Sequence, residues 1–399
     1  MNILYIHQYF VTPKEPGGTR SYWISQELIK NGHNVTMLTT TKGKDKPRKV
    51  VIDGITVIYL RIPYNNHMNV FQRLMAFLKF MCLSALFVLK TKKPDLIIGT
   101  STPLTVGFPV LVGKKLRKIP YIFEVRDLWP EVPVQMGGVK NKLVIKLLYR
   151  FEKSIYKNAL HVIALSPGMR DGVKDAGTPE GKITTIPNMS KIDKFWPRDK
   201  NTEVIKKLNL SPDSFKVIYF GAMGLANGMD YILDAFTFLK EENNIELLIV
   251  GDGSTKPDLI KRCELEGMDF VHFYGKMPMA QLSETVNISD VSLVTFADLP
   301  ILATNSPNKL FDTLSAGKPL IVNSPGWTKT MVETEKCGFF ADPKNPEEMA
   351  KAILKYKNDP ALTREYGINA RRLAENTFDK SILCEKFVKT VEKTAQKYL

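Results

Sequence analysis

The string Asn305-Ser306-Pro307-Asn308-Lys309-Leu310-Phe311-Asp312 concentrates more usable chemistry than any other stretch of the 399 residues. Ser306 reads as a helix N-cap and Pro307 as the first helical residue. A helix start offers unpaired N–H groups and partial positive charge, which suits a diphosphate. Lys309 falls in that first turn and can reach the same anion. Asp312 lies three residues on, on the same face, where a carboxylate can accept hydrogen bonds from two ribose hydroxyls. A local Lys309–Asp312 ion pair would also explain the spacing, but not the cap–proline–lysine start.

A second cluster follows the apolar run Tyr121-Ile122-Phe123: Glu124-Val125-Arg126-Asp127-Leu128-Trp129-Pro130-Glu131. Four ionisable groups at the end of a buried strand must be paired or used, because burying them otherwise is costly. A structural Arg126–carboxylate pair is the plainer account, and it suits Glu124 better than Asp127. Glycine-rich turns complete the set. Pro16-Gly17-Gly18-Thr19-Arg20 precedes a helix, so backbone N–H groups could approach a phosphate or sugar oxygen, with Arg20 adding charge. A Gly-Gly pair also makes an ordinary turn. Phe220-Gly221-Ala222-Met223-Gly224, with Asn227-Gly228, repeats the arrangement, and Ile249-Val250-Gly251-Asp252-Gly253 ends another apolar run.

The elements that must hold these loops alternate between short apolar runs and helical patterns. Strands are predicted at 2–7, 34–40, 55–60, 95–99, 120–125 and 161–165, and again at 216–221, 246–251, 270–273, 291–295 and 319–322. Helices are predicted at 19–30, 69–91, 104–117, 140–157 and 167–175, then 229–240, 256–266, 279–287, 307–316, 346–357 and 361–375. Such alternation gives α/β domains with parallel sheets covered on both faces. The length also favours two domains. We expect an N-terminal Rossmann-like domain over 1–187, a linker at 188–200, a second Rossmann-like domain over 201–378, and a final amphipathic helix at 379–399 packing back on the first domain. Ligands of such sheets bind beyond the carboxyl ends of the strands, where the loops above fall.

Charge is divided unevenly. Residues 1–200 hold 32 Lys and Arg against 14 Asp and Glu, and the remainder hold 24 against 27. An anionic partner for the first half is implied, be it a polyphosphate, a membrane face or nucleic acid. Residues 139–157 place six Lys or Arg among apolar residues at helical spacing, as in a helix lying in a membrane interface. Residues 68–90 are strongly apolar, but Arg73 and Lys79 interrupt them, and the uncharged run Phe80–Leu89 is too short to cross a bilayer. The four cysteines are far apart, without zinc or redox spacing. The opening Met1-Asn2-Ile3-Leu4-Tyr5-Ile6 reads as a strand rather than a leader, so a cytoplasmic location is expected.

Taken in order, Gly17-Gly18, Gly32-His33-Asn34-Val35-Thr36, Ala164-Leu165-Ser166, Ile186-Pro187-Asn188, Phe220-Gly221, Val250-Gly251-Asp252-Gly253 and Phe273-Tyr274-Gly275 resemble glycosyltransferase family 4. The resemblance covers nearly the whole chain. It implies a GT-B fold, two Rossmann-like domains facing a cleft, and retaining transfer from a nucleotide-diphosphate sugar. The Arg126-Asp127-Leu128-Trp129-Pro130 and Ser306-Pro307-Asn308-Lys309 strings look most like bacterial enzymes that extend lipid-linked O-antigen or capsule precursors. The family's Glu-x(7)-Glu motif is altered: its second Glu falls on Asp312, the implied ribose ligand, and its first on Thr304, so Asn305 or backbone N–H groups would replace the sugar contact. A family basic residue falls on Asn227, leaving Lys309 as the main diphosphate cation. A family His falls on Arg126.

The resemblance thus implies catalytic Asp127, Arg126 and Lys309. Donor contacts would come from Gly17, Gly18, Gly221, Gly251, Asn305, Ser306, Lys309 and Asp312, with Arg20, Glu124 and Glu131 on the acceptor side. Front-face attack is implied, with the leaving diphosphate helping to remove the acceptor proton. No cofactor and no metal are expected, since no Asp-x-Asp string stands at a loop. The donor base is uracil by family frequency, the acceptor a polyprenyl-diphosphate-linked saccharide, and the anionic inner face of the cytoplasmic membrane a partner. A nucleotide-sugar epimerase of the same fold would want a carboxylate-rich cleft without the basic surface. A nucleic-acid-binding protein would need basic residues interleaved with exposed aromatics, which are not seen. A sugar-binding transport protein fits poorly without a leader.

Overall fold

Asn2–Ile6 (β1) is apolar along its length because helices cover both faces of its sheet. It runs parallel between Asn34–Thr40 (β2) and Leu96–Thr100 (β5). A hairpin of Lys49–Ile52 (β3) and Ile55–Leu60 (β4) adds to β2, and Tyr121–Val125 (β6), His161–Ala164 (β7) and Ile183–Thr185 (β8) add to β5. The order is β3-β4-β2-β1-β5-β6-β7-β8, with only the β3–β4 pairing antiparallel. The second sheet is wholly parallel. It comprises Phe215–Ala222 (β9), Ile245–Asp252 (β10), Val271–Tyr274 (β11), Val291–Val294 (β12), Leu320–Val322 (β13) and Gly338–Phe340 (β14), ordered β11-β10-β9-β12-β13-β14. Strand order reverses at β1/β5 and at β9/β12, and at such switch points the loops splay apart to leave a crevice. This computed structural model describes residues 1–15, 17–41, 48–63, 68, 70–242 and 244–398. Pro16 and Asn69 lie outside the described residues, as does the side chain of Val70.

Three expectations are corrected. The hairpin strand β3 was not expected. It is a charged-flanked edge strand, and its turn is Asp53-Gly54, both at positive φ (47° and 82°) as a two-residue hairpin requires. The short β8 and β14 and the helix Trp327–Thr334 were also not expected. Lastly, the linker at 188–200 is partly packed rather than free. Asn188, Ser190, Lys191 and Phe195 are buried, and the Ser190 hydroxyl donates to Phe311 O (3.0 Å).

The chain crosses between domains a second time at Asp379, whose carboxylate caps the last helix, Lys380–Gln396. Leu383, Phe387 and Val391 of that helix pack with Ile24 and Leu28 of Arg20–Lys30 on the first sheet. The opposite face of this sheet carries Val70–Lys90, Gly107–Arg117 and Lys142–Asn158, joined through Phe80, Val88, Val110 and Ile155. Val70–Lys90 buries that side only; Phe71, Leu74, Leu78, Leu83 and Leu86 are exposed. Contrary to the reading of its uncharged run, this helix is long and apolar enough to cross a membrane by length and composition, although it packs on the domain along one side.

Candidate active site

The loops beyond the strand ends of both sheets converge. A Cβ built on Gly18 would stand 3.1 Å from Asn308 Nδ2 and 3.4 Å from Arg126 Nη2, so the first glycine loop, the end of β6 and the start of the helix Asn308–Ser315 share one space. Nearby, a Cβ on Gly168 would lie 2.9 Å from Thr304 Cγ2, and the Ser166 hydroxyl donates to Thr304 O. Gln135 Oε1 accepts from the Ile301 amide (3.0 Å). The two domains thus meet along the segment 301–308.

Lys309 lies on the second-domain side. Its Nζ sits 3.7 Å from the centre of the Tyr219 ring and has no hydrogen-bond partner, although the residue is buried. Burial pushes the ammonium down to about 7, because a low-dielectric site penalises the charged form. Beside it, a Cβ on Gly221 would stand 3.2 Å from Lys309 Cε. Gly251 pairs with Gly221 in register, and a Cβ there would fall 1.9 Å from Gly221 O, at φ +145°. Only glycine fits this crossing of two strand ends. The result is a backbone floor with a buried cation over it that has no hydrogen-bond partner among the described residues.

Asp312, on the next turn, does not pair with Lys309. Its Oδ1 lies 2.6 Å from Lys191 Nζ, and both side chains are almost fully buried. Burial raises its carboxyl, and Lys191 opposes that. The predicted cap is corrected too: the helix begins at Asn308, Pro307 occupies the cap position, and no side chain caps it. Ser306 Oγ instead accepts from the Asn188 amide (3.1 Å), while Asn188 Nδ2 donates to Ser306 O (2.5 Å). Asn305 Oδ1 is buried without a hydrogen bond, and its carbonyl accepts from Trp327 Nε1 (2.8 Å).

On the first-domain side, Arg126 and Asp127 are half-buried at the end of β6. Arg126 Nη1 is 3.1 Å from His7 Nε2, and His7 Nδ1 is 2.8 Å from Ser21 Oγ. Burial and then the Arg126 charge hold His7 well below its usual value, so it stays neutral. The Asp127 carboxylate accepts from Thr102 Oγ1 (2.6 Å). Burial raises its carboxyl, and the Thr102 hydrogen bond and Arg126 offset that only in part.

The three residues expected on the acceptor side are engaged in contacts of their own. Arg20 is buried, with Nε 2.7 Å from Glu124 Oε1 and Nη2 donating to Ile186 O (3.0 Å). Glu124 is sealed, accepting also from Tyr5 OH (3.1 Å). Burial pushes its carboxyl up, but Arg20 and Arg126 outweigh that and hold it low. The pair is a structural tie, and Glu124's partner is Arg20, not Arg126. Glu131 turns away toward Lys142–Asn158, accepting from Gln135 (2.7 Å) and from Tyr149. Gly17 stands against Val11 rather than against a charged group. His7, Thr102 and Lys191 carry no reading in the sequence; the polar His7 at the end of an apolar strand is their one readable signal. Among the described residues no three His, Cys, Asp or Glu side chains gather as a metal site.

Known proteins match this arrangement. A glycosyl transferase 4-like domain model covers residues 17–189, and a glycosyl transferases group 1 model covers 200–373. WcaI of Escherichia coli, a glycosyl transferase assigned to colanic acid biosynthesis, is 25% identical over 75% of this chain and 74% of its own. Sucrose-phosphate synthase of Thermosynechococcus elongatus superposes with a TM-score of 0.77 at 20% identity, over 98% of each chain. HepE of Anabaena, in complex with UDP-glucose, superposes at 0.73 and 17% identity, over 98% of this chain and 100% of its own. The chain belongs to the glycosyltransferases of GT-B fold that join a 4-like domain to a group 1 domain.

Proposed function

We propose that this glycosyltransferase moves a sugar, with retention, from a UDP-linked donor to a polyprenyl-diphosphate-linked saccharide in surface polysaccharide synthesis, working at the cytoplasmic face of the membrane. The observation that carries the donor reading is Lys309: a buried ammonium without an acceptor, over the Gly221–Gly251 floor. A diphosphate supplies what that cation lacks, and HepE's complexes with UDP and UDP-glucose agree with it. The acceptor hydroxyl oxygen attacks the anomeric carbon from the face the diphosphate leaves. The glycosidic C–O bond electrons pass to the diphosphate, and the hydroxyl proton goes to its oxygen. Lys309 and the helix start at Asn308, which no side chain caps, stabilise the departing charge, while Arg126 and Asp127 orient the acceptor. No step calls for a cofactor or a metal.

The membrane reading is supported by the face of the first domain built from Val70–Lys90, Gly107–Arg117 and Lys142–Asn158. It exposes Leu143, Leu147, Leu116 and the apolar stripe of Val70–Lys90 beside Lys142, Lys146, Arg150 and Lys153. Apolar side chains ringed by lysines suit an anionic leaflet. The decisive experiment is incubation with a panel of nucleotide sugars and a short-chain polyprenyl-diphosphate sugar, with transfer read by mass spectrometry and anomeric configuration by proton NMR. A one-sugar mass gain with a UDP-sugar, in the donor's anomeric configuration, is expected. Transfer only to a non-lipid acceptor, or with inversion, would overturn it.

A further inference from the structure

With Asp312 taken as the ribose ligand that the family resemblance implies, we infer that Lys191 is a positioning residue of the donor site, holding the Asp312 carboxylate charged and oriented toward the ribose hydroxyls. Lys191 comes from the segment between the domains, 121 residues from its partner, and its Nζ touches Asp312 Oδ1 at 2.6 Å. The side chain of Asp312 keeps about a tenth of its surface exposed, and its buried Oδ1 meets Lys191 as a close ion pair rather than through an aligned hydrogen bond.

The segment carrying Lys191 is knitted to the donor helix and its entry. The Lys191 amide donates to Ser315 Oγ (3.0 Å), the Ser190 hydroxyl to Phe311 O (3.0 Å), and the Asn188 amide to Ser306 Oγ (3.1 Å). Lys191 O in turn accepts from the Phe195 amide (2.9 Å). The ammonium is therefore delivered by fixed backbone on both sides and not by a swinging surface chain. Two buried lysines then divide the work at this helix: Lys309, from its first turn, has no hydrogen-bond partner among the described residues, whereas Lys191, from the crossing segment, is spent on Asp312.

The physical need is plain. A carboxylate buried here is pushed toward its neutral form, and a neutral carboxyl makes weaker hydrogen bonds to hydroxyls than a charged one. Without Lys191 the effect of burial on Asp312 acts unopposed, and its carboxyl moves further toward the neutral form. Neither the diphosphate nor the base would feel the change directly.

The test compares binding of UDP with 2′,3′-dideoxyuridine diphosphate by calorimetry, using the full-length protein. Wild type should prefer UDP by at least about tenfold, the worth of hydrogen bonds to a charged group. Lys191→Met should bring that preference to within about threefold while leaving dideoxy affinity near wild type, and Lys191→Arg should restore it. In Lys191→Met the remaining preference should fall further as pH is lowered. The double variant Lys191→Met/Asp312→Asn removes both charges, keeps the shapes and guards against misfolding of the single one. It should match Asp312→Asn alone in discrimination, because the lysine acts only through the aspartate. A full preference in folded Lys191→Met, with the preference lost in Asp312→Asn, overturns the role of Lys191 alone. A full preference in Asp312→Asn overturns the ribose reading beneath it.

Discussion

Lys309 can be tested through protons. In the empty protein its ammonium lies near 7 against an ordinary 10.5, so keeping it charged there costs about 5 kcal/mol. A bound diphosphate reverses that penalty and restores the charge. Binding above pH 7 must therefore take up a proton. With the free value near 7, about 0.9 proton should be absorbed per UDP-hexose at pH 8, and affinity should fall roughly 30-fold between pH 6 and pH 8.5. Calorimetry in buffers of different ionisation enthalpy reads the uptake directly. UDP-hexose is the proper probe, since UDP itself has a phosphate that titrates in this range. Lys309→Met keeps an aliphatic chain over Tyr219 but nothing to protonate. Its binding should be weaker by roughly 100-fold at pH 6, flat with pH and free of proton uptake.

The same residue carries a stability consequence of opposite sign. The folded value is depressed below the unfolded one, so between about 7 and 10.5 the unfolded chain holds more protons. Stability of the ligand-free protein should thus rise with pH through that window, and the full penalty is present below 7. Empty Lys309→Met should melt several degrees above wild type at pH 6.5, trading donor binding for stability. Parallel pH profiles for the two proteins, with equal affinity and no proton uptake in either, would refute the reasoning.

Asp127→Asn should lower transfer at least about 100-fold while UDP affinity and Tm stay near wild type; turnover by the folded variant at the wild-type rate would make Asp127 structural. Gly251→Ala should abolish UDP binding in calorimetry and lower Tm, because the new methyl would fall 1.9 Å from Gly221 O. Arg20→Met leaves the sealed Glu124 carboxylate unpaired and should cost about 3–5 kcal/mol in urea unfolding. Sedimentation with liposomes should rise with anionic lipid, fall with salt and weaken when Lys142, Lys146 and Arg150 become Glu; equal recovery in the supernatant with neutral and anionic vesicles at low salt would rule out docking.

What could be read from the chain and what could not divide along physical lines. Parallel strands covered on both faces are apolar runs, so β1, β2, β5, β6, β9 and β10 announce themselves. The edge strand β3 does not, being KVVI with one face in solvent, although Asp53-Gly54 was a readable hairpin turn. Trp327–Thr334 hides because Thr328, Thr330 and Thr334 weaken its helical propensity, and packing of Thr328 and Val332 decides the matter. Glycines at strand ends were legible as places where backbone comes close, and Gly221 and Gly251 meet each other there.

Charge pairing was the part that spacing misled. Lys309 and Asp312 sit three apart on one helix, a distance at which a local ion pair is the natural reading. The fold separates them by giving each a different neighbour: Tyr219 from β9 lies under the lysine, and Lys191 from the crossing segment reaches the aspartate. The same happens with Arg20, which closes on Glu124 across 104 residues while Arg126, two positions from that carboxylate, turns to His7. In each case the partner comes from an element far away in the chain, so no local window contains the information. Lys191 and Arg20 face the buried carboxylates of Asp312 and Glu124, while Lys309 Nζ has no hydrogen-bond partner among the described residues, so which buried charges stand opposed is set by the tertiary fold and not by spacing along the chain.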